Sequence, residues 1–310
     1  MPWSWPIMAA IFVQVDLPLW FLASLALERS SSYASFYTKA AAFALFFILI
    51  FFAGRWDLVG VWLRYGLIPG FVLAFVIGRH RCRGSPRWPR PNLRSLGGTA
   101  LNLLVAAVFA VPLWQILTDT SCSERASDLA FPIRDVDWYV GQGGGVPVLN
   151  YHAAVRAQAY ALDIVALNGF GTRADGLQPA DLEDYAIYGE AVVAPCSGGV
   201  ASTHDGLPDL APAERDPDNP AGNHVVIVCQ GATIVLAHLK PGSIAVAPGE
   251  EVEARAPIGA VGNSGNTDEP HLHIHAVRGT ADGGALGDRA EPVPMRFDGR
   301  CLVRNASGSS

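Results

Sequence analysis

The sequence predicts a mixed, two-part protein: an N-terminal α-helical transmembrane region of four spans, followed by a C-terminal, mainly β domain of antiparallel sheets. Half of the 310 residues are apolar and only 16% are charged, which is unusually apolar for a soluble protein of this length. Residues 1–120 carry 10 Lys or Arg against 4 Asp or Glu, whereas residues 121–310 carry 12 against 24. We therefore expect a membrane anchor over 1–120 and a separate acidic domain over 121–310.

Four apolar stretches in the first part each approach the ~20 residues that a helix needs to cross a bilayer. They are Pro6–Leu27, Phe36–Ala53, Leu58–Ile77 and Thr99–Leu117. The run Ala40–Ala53 has no polar face, which favours lipid over the interior of a soluble bundle. The opening residues, MPWSWP, lack the cationic leader and cleavage site of a signal peptide, so the first span is expected to stay in place.

The basic residues predict the orientation of the spans. The loop Arg79–Arg94 contains six arginines, and such short basic loops stay in the cytoplasm. The acidic domain after residue 120 is then extracytoplasmic, and its lack of a basic stripe argues against a nucleic-acid partner. Asp16 and Arg64 lie inside spans, where an unpaired charge is costly. Either they pair with each other, or Arg64 extends to the membrane surface and Asp16 is neutral.

The cysteines fit the same topology. Cys82 lies in the cytoplasmic loop, and four cysteines lie outside, where an oxidising compartment permits two disulfides in three possible connectivities. We predict the pairs Cys196–Cys229, beside probable strands, and Cys122–Cys301, near the ends of the domain. A zinc site made of cysteines is disfavoured, because no Cys-x-x-Cys spacing occurs.

Short apolar runs separated by turn residues indicate strands from about residue 131 onward. Examples are Ala191–Pro195, His224–Cys229, Thr233–His238 and His271–Val277, with a hairpin at Gln230-Gly231. The acidic, proline-rich segment Asp205–Asn223 is predicted to be a loop that forms a flap or rim.

Candidate site residues lie in three segments of this domain. Alternate residues of a strand share a face, so His271, His273 and His275 should point the same way, which suggests a metal site. Asp163 interrupts the apolar run Tyr160–Val165, and a buried carboxylate needs a cation or a metal. His238, in Ala-His-Leu, ends a predicted strand; alone it would more often be structural than catalytic.

The order of these segments resembles the lysostaphin/LytM-type zinc metallopeptidases, which cleave peptides of bacterial cell-wall peptidoglycan. The resemblance rests on Asp163, Ala237-His238-Leu239, Gly262-Asn263-Ser264-Gly265-Asn266 and Pro270-His271-Leu272-His273, and it covers about Leu149–Val277. It implies that Asp163 and His273 are zinc ligands and that His238 and His271 are catalytic histidines that do not bind the metal. In such a site the zinc keeps one position for water, whose pKa falls to about 7.

One position departs from the family pattern. The resemblance places the first histidine ligand four residues before the aspartate, and that residue here is Ala159. We favour His152, the nearest upstream histidine, as the third zinc ligand. His224 and His275 remain alternatives, whereas His204 and His80 are interpreted as incidental.

The predicted function is therefore that of a multi-pass zinc metalloendopeptidase of the bacterial cell membrane. Its expected partners are bilayer lipid and a peptidoglycan peptide, with a membrane or cell-wall protein as a further candidate. If no third ligand reaches the metal, the alternative is a degenerate domain that binds and regulates cell-wall hydrolases.

A carrier domain of the lipoyl or biotinyl kind would need a modifiable lysine at a hairpin tip. The nearest candidate, Lys240, lies directly beside the His238 motif, which disfavours that class.

Overall fold

The computed structural model describes residues 5–89, 93–121, 123–278, 287 and 290–310. The chain divides into two compact units, Met1–Thr118 and Asp119–Ser310. We refer to them as the first and the second unit.

Most of the described residues of the first unit are helical. Its helices are α1 (Trp5–Ile11), α2 (Leu17–Leu27), α3 (Tyr33–Ala53), α4 (Trp56–Val59), α5 (Val61–Arg81) and α6 (Leu93–Leu117), with a π-helical turn at Phe12–Asp16 between α1 and α2. Among the described residues, four segments are long and apolar enough to cross a membrane: Trp5–Leu27, Tyr33–Ala53, Val61–Arg81 and Leu96–Leu117. This confirms the four predicted spans.

The π-helical turn contains a buried polar residue, Gln14, whose partner the sequence did not reveal. Its Nε2 donates to the Arg55 carbonyl at 2.9 Å, and its Oε1 accepts from the Arg55 amide nitrogen. Gln14 thereby satisfies the backbone of the turn between α3 and α4. The guanidinium of Arg64 lies 3.9 Å from the centre of the Phe51 ring.

The second unit is built from short strands. They are β1 (Ser127–Leu129), β2 (Asp137–Gln142), β3 (Leu162–Ala166), β4 (Ala191–Val193), β5 (Gly198–His204), β6 (Asn223–Cys229), β7 (Ala232–Leu239), β8 (Glu251–Val252), β9 (Pro257–Ala260), β10 (Leu272–Arg278), β11 (Glu291–Val293), β12 (Met295–Phe297), β13 (Arg300–Cys301) and β14 (Ser307–Ser309). The predicted hairpin joins β6 to β7, with Gly231 at φ +87°. The antiparallel β domain is confirmed.

Nine strands form the main sheet, in the order β14-β2-β3-β10-β7-β6-β5-β8, with β11 also paired to β10. A pair, β4-β9, and a triplet, β1-β12-β13, form two smaller sheets. One face of the main sheet contributes fully buried side chains such as Ile164, Ile234 and Ile274 to the hydrophobic core, together with Val192 and Ile258 from β4 and β9. Since side chains alternate along a strand, the residues between them lie on the opposite face.

The segment between β5 and β6 is a loop, as predicted, and it is fastened to a second loop before β10. Backbone amides of Leu210 and Ala213 donate to the carbonyls of Asn263 and Asp268, at 3.1 and 2.8 Å. The carboxylate of Asp209 accepts the Asn263 amide at 2.6 Å. These bonds attach the loop to the segment before β10.

The disulfide Cys196–Cys229 is present and confirms the first predicted pair. The second prediction involves Cys122, which lies outside the described residues. Within the described part of the chain Cys301 is a free thiol, as is the buried Cys82.

Removing the disulfide should destabilise the second unit. We expect the Cys196→Ala/Cys229→Ala variant to lose about 2–4 kcal/mol of unfolding free energy, because the link constrains a separation of 33 residues in the unfolded chain. Thermal unfolding with and without a reductant measures this. In the presence of the reductant the double variant and the wild type should unfold at similar temperatures, which is the internal control; equal unfolding temperatures without the reductant would contradict the expectation.

Candidate metal centre

The centre of the candidate site lies where β3 and β10 pair. Asp163 is directly opposite His273 in the antiparallel register. Leu272 and Ile274 enter the hydrophobic core, so His273 and His275 project from the other face of the same strand. Both histidines and Asp163 are buried.

Three side chains converge on the carboxylate of Asp163. The Nε2 of His152 lies 3.0 Å from both carboxylate oxygens, and the Nδ1 of His273 lies 3.0 Å from Oδ1. The hydroxyl of Tyr151 donates to Oδ2 at 3.0 Å. A carboxylate held in this way keeps a fixed orientation, as metal-ligating carboxylates do.

A buried asparagine explains how His152 reaches the site. The Oδ1 of Asn150 accepts the His152 amide at 3.1 Å and begins a short 3₁₀ helix, Tyr151–Ala154. Its Nδ2 donates to the carbonyls of Gly144 and Ala161, at 2.8 and 3.0 Å. Asn150 therefore ties the turn that carries His152 to the residues just before β3.

The two predicted catalytic histidines lie beside this group. The ring centres of His238 and His271 are 4.9 Å apart, and the Nε2 of His271 is 3.5 Å from Oδ1 of Asp163. His238 has a φ of +65°, an uncommon value for a residue other than glycine. Its Nδ1 lies 2.8 Å from the carbonyl of Ser264, which fixes the direction of the ring.

The other histidines occupy different positions. The Nδ1 of His275 lies 3.0 Å from the Nε2 of His273, so His275 contacts a candidate ligand on the side away from Asp163. His224 stacks against His204, two strands away from β10. His80 belongs to α5 of the first unit.

In the part of the chain that the structure describes, two groups of side chains bring their ligand atoms within 4.8 Å of one another, and His273 belongs to both. One group adds His152 and Asp163, and the other adds His238 and His271. The first supplies two nitrogens and a carboxylate oxygen and the second supplies three nitrogens; zinc accepts either set. Because only the first contains a negative charge to balance a divalent cation, it is the better candidate.

Charge in this cluster is unevenly distributed. Burial alone would raise the pKa of Asp163, but His152 and His271 outweigh it and hold this pKa well below its usual value. Burial opposes a charge on His271, yet Asp163 raises the pKa of that imidazole overall. Burial, and then repulsion from His271, lowers the pKa of His238 to about 3; burial also lowers the pKa of His273. An ionised Asp163 beside neutral His238 and His273 is the favoured arrangement.

One buried ion pair near the site was not found from the sequence. The guanidinium of Arg173, 1% exposed, donates to Oε2 of Glu269 from Nε and Nη2, at 2.8 and 2.5 Å. The backbone carbonyl of Glu269 in turn lies 2.8 Å from Nδ1 of His271. The pair therefore fixes the segment that orients His271. No local pattern marks Arg173, which lies 96 residues before its partner.

Part of the second unit matches a known protein family. Residues 182–283 match the family model of peptidase family M23. The matched segment includes His238, His271 and His273 and begins after His152 and Asp163. No curated protein matches the sequence.

Solved structures show a likeness to parts of the chain. A zinc-containing peptidase from Vibrio cholerae is 17% identical, with 44% of this chain and 50% of that one covered and a TM-score of 0.26. The antimicrobial peptidase lysostaphin from Staphylococcus simulans is 20% identical, with 37% and 44% covered and a TM-score of 0.23. The chain thus spans half or less of the length of each of these two proteins.

Proposed function

We propose, on the premise that the chain carries a peptidase family M23 domain, that the protein is a membrane-anchored zinc metalloendopeptidase acting on peptidoglycan. The first unit, taken as about residues 1–120, is the anchor, and residues 121–310 are the enzyme. The observation that carries this proposal is the convergence of His152, Asp163 and His273 beside two further imidazoles.

We assign His152, Asp163 and His273 as the zinc ligands. Two imidazole nitrogens and one carboxylate oxygen are a usual set for a catalytic zinc, which keeps a further position open. A second observation supports a bound group here: the Nε2 of His271 is buried, and among the described residues it makes no well-formed hydrogen bond, with Oδ1 of Asp163 at 3.5 Å. Buried polar atoms of this kind normally face a ligand or an ordered water.

A bound zinc ion would act as a Lewis acid, lowering the pKa of a coordinated water to about 7 and polarising the scissile carbonyl. His238 directs its Nδ1 at the Ser264 carbonyl, so its Nε2 bears the lone pair and can accept a proton from the attacking water. His271 directs its Nδ1 at the Glu269 carbonyl, and Asp163 raises its pKa. His271 can therefore hold a proton on Nε2 for the developing oxyanion or the leaving amine.

Two observations support an extracytoplasmic position for the second unit. The Arg79–Arg94 segment would keep its end of the helices in the cytoplasm. The Cys196–Cys229 disulfide is typical of oxidising compartments, whereas Cys82, near that arginine-rich segment, is a free thiol. An enzyme in this position faces the cell wall, and its substrate is proposed to be the peptide part of peptidoglycan.

The proposal is tested by hydrolysis of isolated peptidoglycan with the full-length protein in detergent. We expect new amino groups and no new reducing ends, with about one tightly bound zinc per chain by metal analysis. A strong chelator should abolish the release of amino groups, and added zinc should restore it. Hydrolysis that survives removal of the metal would refute the zinc mechanism. A zinc-loaded protein that binds peptidoglycan without cutting it would instead be a binding domain.

A further inference from the structure

Two histidines of the second unit lie outside the cluster around Asp163. Seven of the eight histidines in the sequence follow residue 120. Five of them form the cluster around Asp163, and the remaining two, His204 and His224, also lie together. Sequence patterns alone assign no role to His204 and leave His224 as an alternative zinc ligand.

The pair is built into the main sheet. His204, the last residue of β5, is directly opposite His224 in β6. The side chains of such cross-strand neighbours start about 5 Å apart and point to the same face. Their ring centres are 5.7 Å apart and their planes differ by only 11°. The two imidazoles are therefore held side by side.

This pair is distinct from the Asp163 cluster, although it lies on the same face of the sheet. His273 is opposite Ala237 of β7. On the other edge of β7, the pairing with β6 is irregular between Asn223 and Val225, which is where His224 lies. Neighbouring strands are about 4.8 Å apart, so the backbone of His224 is roughly 10 Å from that of His273. Neither His204 nor His224 belongs to the groups of ligand atoms that converge around His273.

The protonation and exposure of the pair suit a metal. The Nδ1 of His224 lies 2.8 Å from the Gly222 carbonyl, which places its proton there and leaves the lone pair on Nε2. Metal-ligating histidines are commonly fixed in this way. His204 is exposed and gives access from solvent.

We propose that His204 and His224 form a second metal site, which binds a divalent late transition-metal ion such as zinc through two imidazoles. Imidazole is a preferred ligand for zinc, copper and nickel. Water fills the remaining positions, so this site is weaker than one with a carboxylate and two imidazoles. An oxygen or nitrogen atom of a molecule bound over the sheet can replace one of these waters as a ligand.

Zinc titration of the metal-free, full-length protein in detergent tests the proposal. We expect two classes of bound zinc, one tight and one weaker, by equilibrium dialysis with metal analysis. The variant His204→Gln, and separately the variant His224→Gln, should lose the weakly bound zinc and retain the tightly bound zinc. The control variant His80→Gln, altered in the first unit, should retain both.

The result is independent of the proposed enzyme activity. If the Asp163 cluster held no zinc, the tightly bound zinc would be missing. The weakly bound zinc would still be found in the wild type and would still be lost in His204→Gln. The proposal is overturned if His204→Gln and His224→Gln both bind as much zinc as the wild type over the whole titration.

Discussion

Replacement of Asp163 by asparagine should lower the affinity for zinc by at least about 100-fold and abolish measurable hydrolysis. Losing a group that merely supports a ligand already costs about 10- to 100-fold in affinity or activity, and Asp163 is a proposed ligand. Asparagine keeps the shape of the side chain and can still accept the bond from Tyr151, but it removes the negative charge that His152 and His273 face at 3.0 Å. Competition with a chelator of known affinity measures the change.

The same measurement identifies the third ligand. His152→Gln should weaken zinc binding strongly, because the Nε2 of His152 is in contact with both oxygens of Asp163. His275→Gln should weaken it less, since His275 contacts His273 on the side away from Asp163. His224→Gln should leave the tight zinc in place. If His275→Gln removed the metal and His152→Gln did not, the assignment of His152 would be wrong.

The parts of the fold that follow from short-range patterns could be predicted from the sequence. A membrane helix must consist of apolar residues along its whole length, and an antiparallel strand with one buried face alternates between two environments. The four spans and the strand that carries His273 follow from these rules. Gln14 did not stand out, because a polar residue in a span gives no sign that it bonds a backbone 41 residues away.

The candidate site shows the same division. The spacing of His271, just before β10, and His273, within it, is sufficient to predict that they share a face, since the period of a strand is two. The position of His152 depends instead on the turn held by Asn150, which bonds backbone atoms on both sides of that turn. Nor does spacing along the sequence connect Arg173 to Glu269. Contacts of this kind arise from packing between distant segments.

Variants of His238 and His271 should separate catalysis from metal binding. We expect His238→Asn and His271→Gln to retain about one tightly bound zinc per chain and to lose about 10²- to 10⁴-fold in kcat, the usual contribution of a positioned acid or base. Asparagine is chosen at position 238 because it tolerates the positive φ found there, so a folding defect is avoided. Metal analysis and steady-state hydrolysis are measured on the same preparations, with His80→Gln as the control.

The outcome also decides between the two groups of possible ligands. His238 and His271 form, with His273, the all-imidazole group. If that group held the zinc, both variants would lose metal and activity in parallel, and excess zinc would partly restore the rate. If His152, Asp163 and His273 hold it, the rate stays low at saturating zinc, because the missing group acts on the proton and the oxyanion in the transition state. Parallel loss of zinc and activity would therefore contradict the assigned roles.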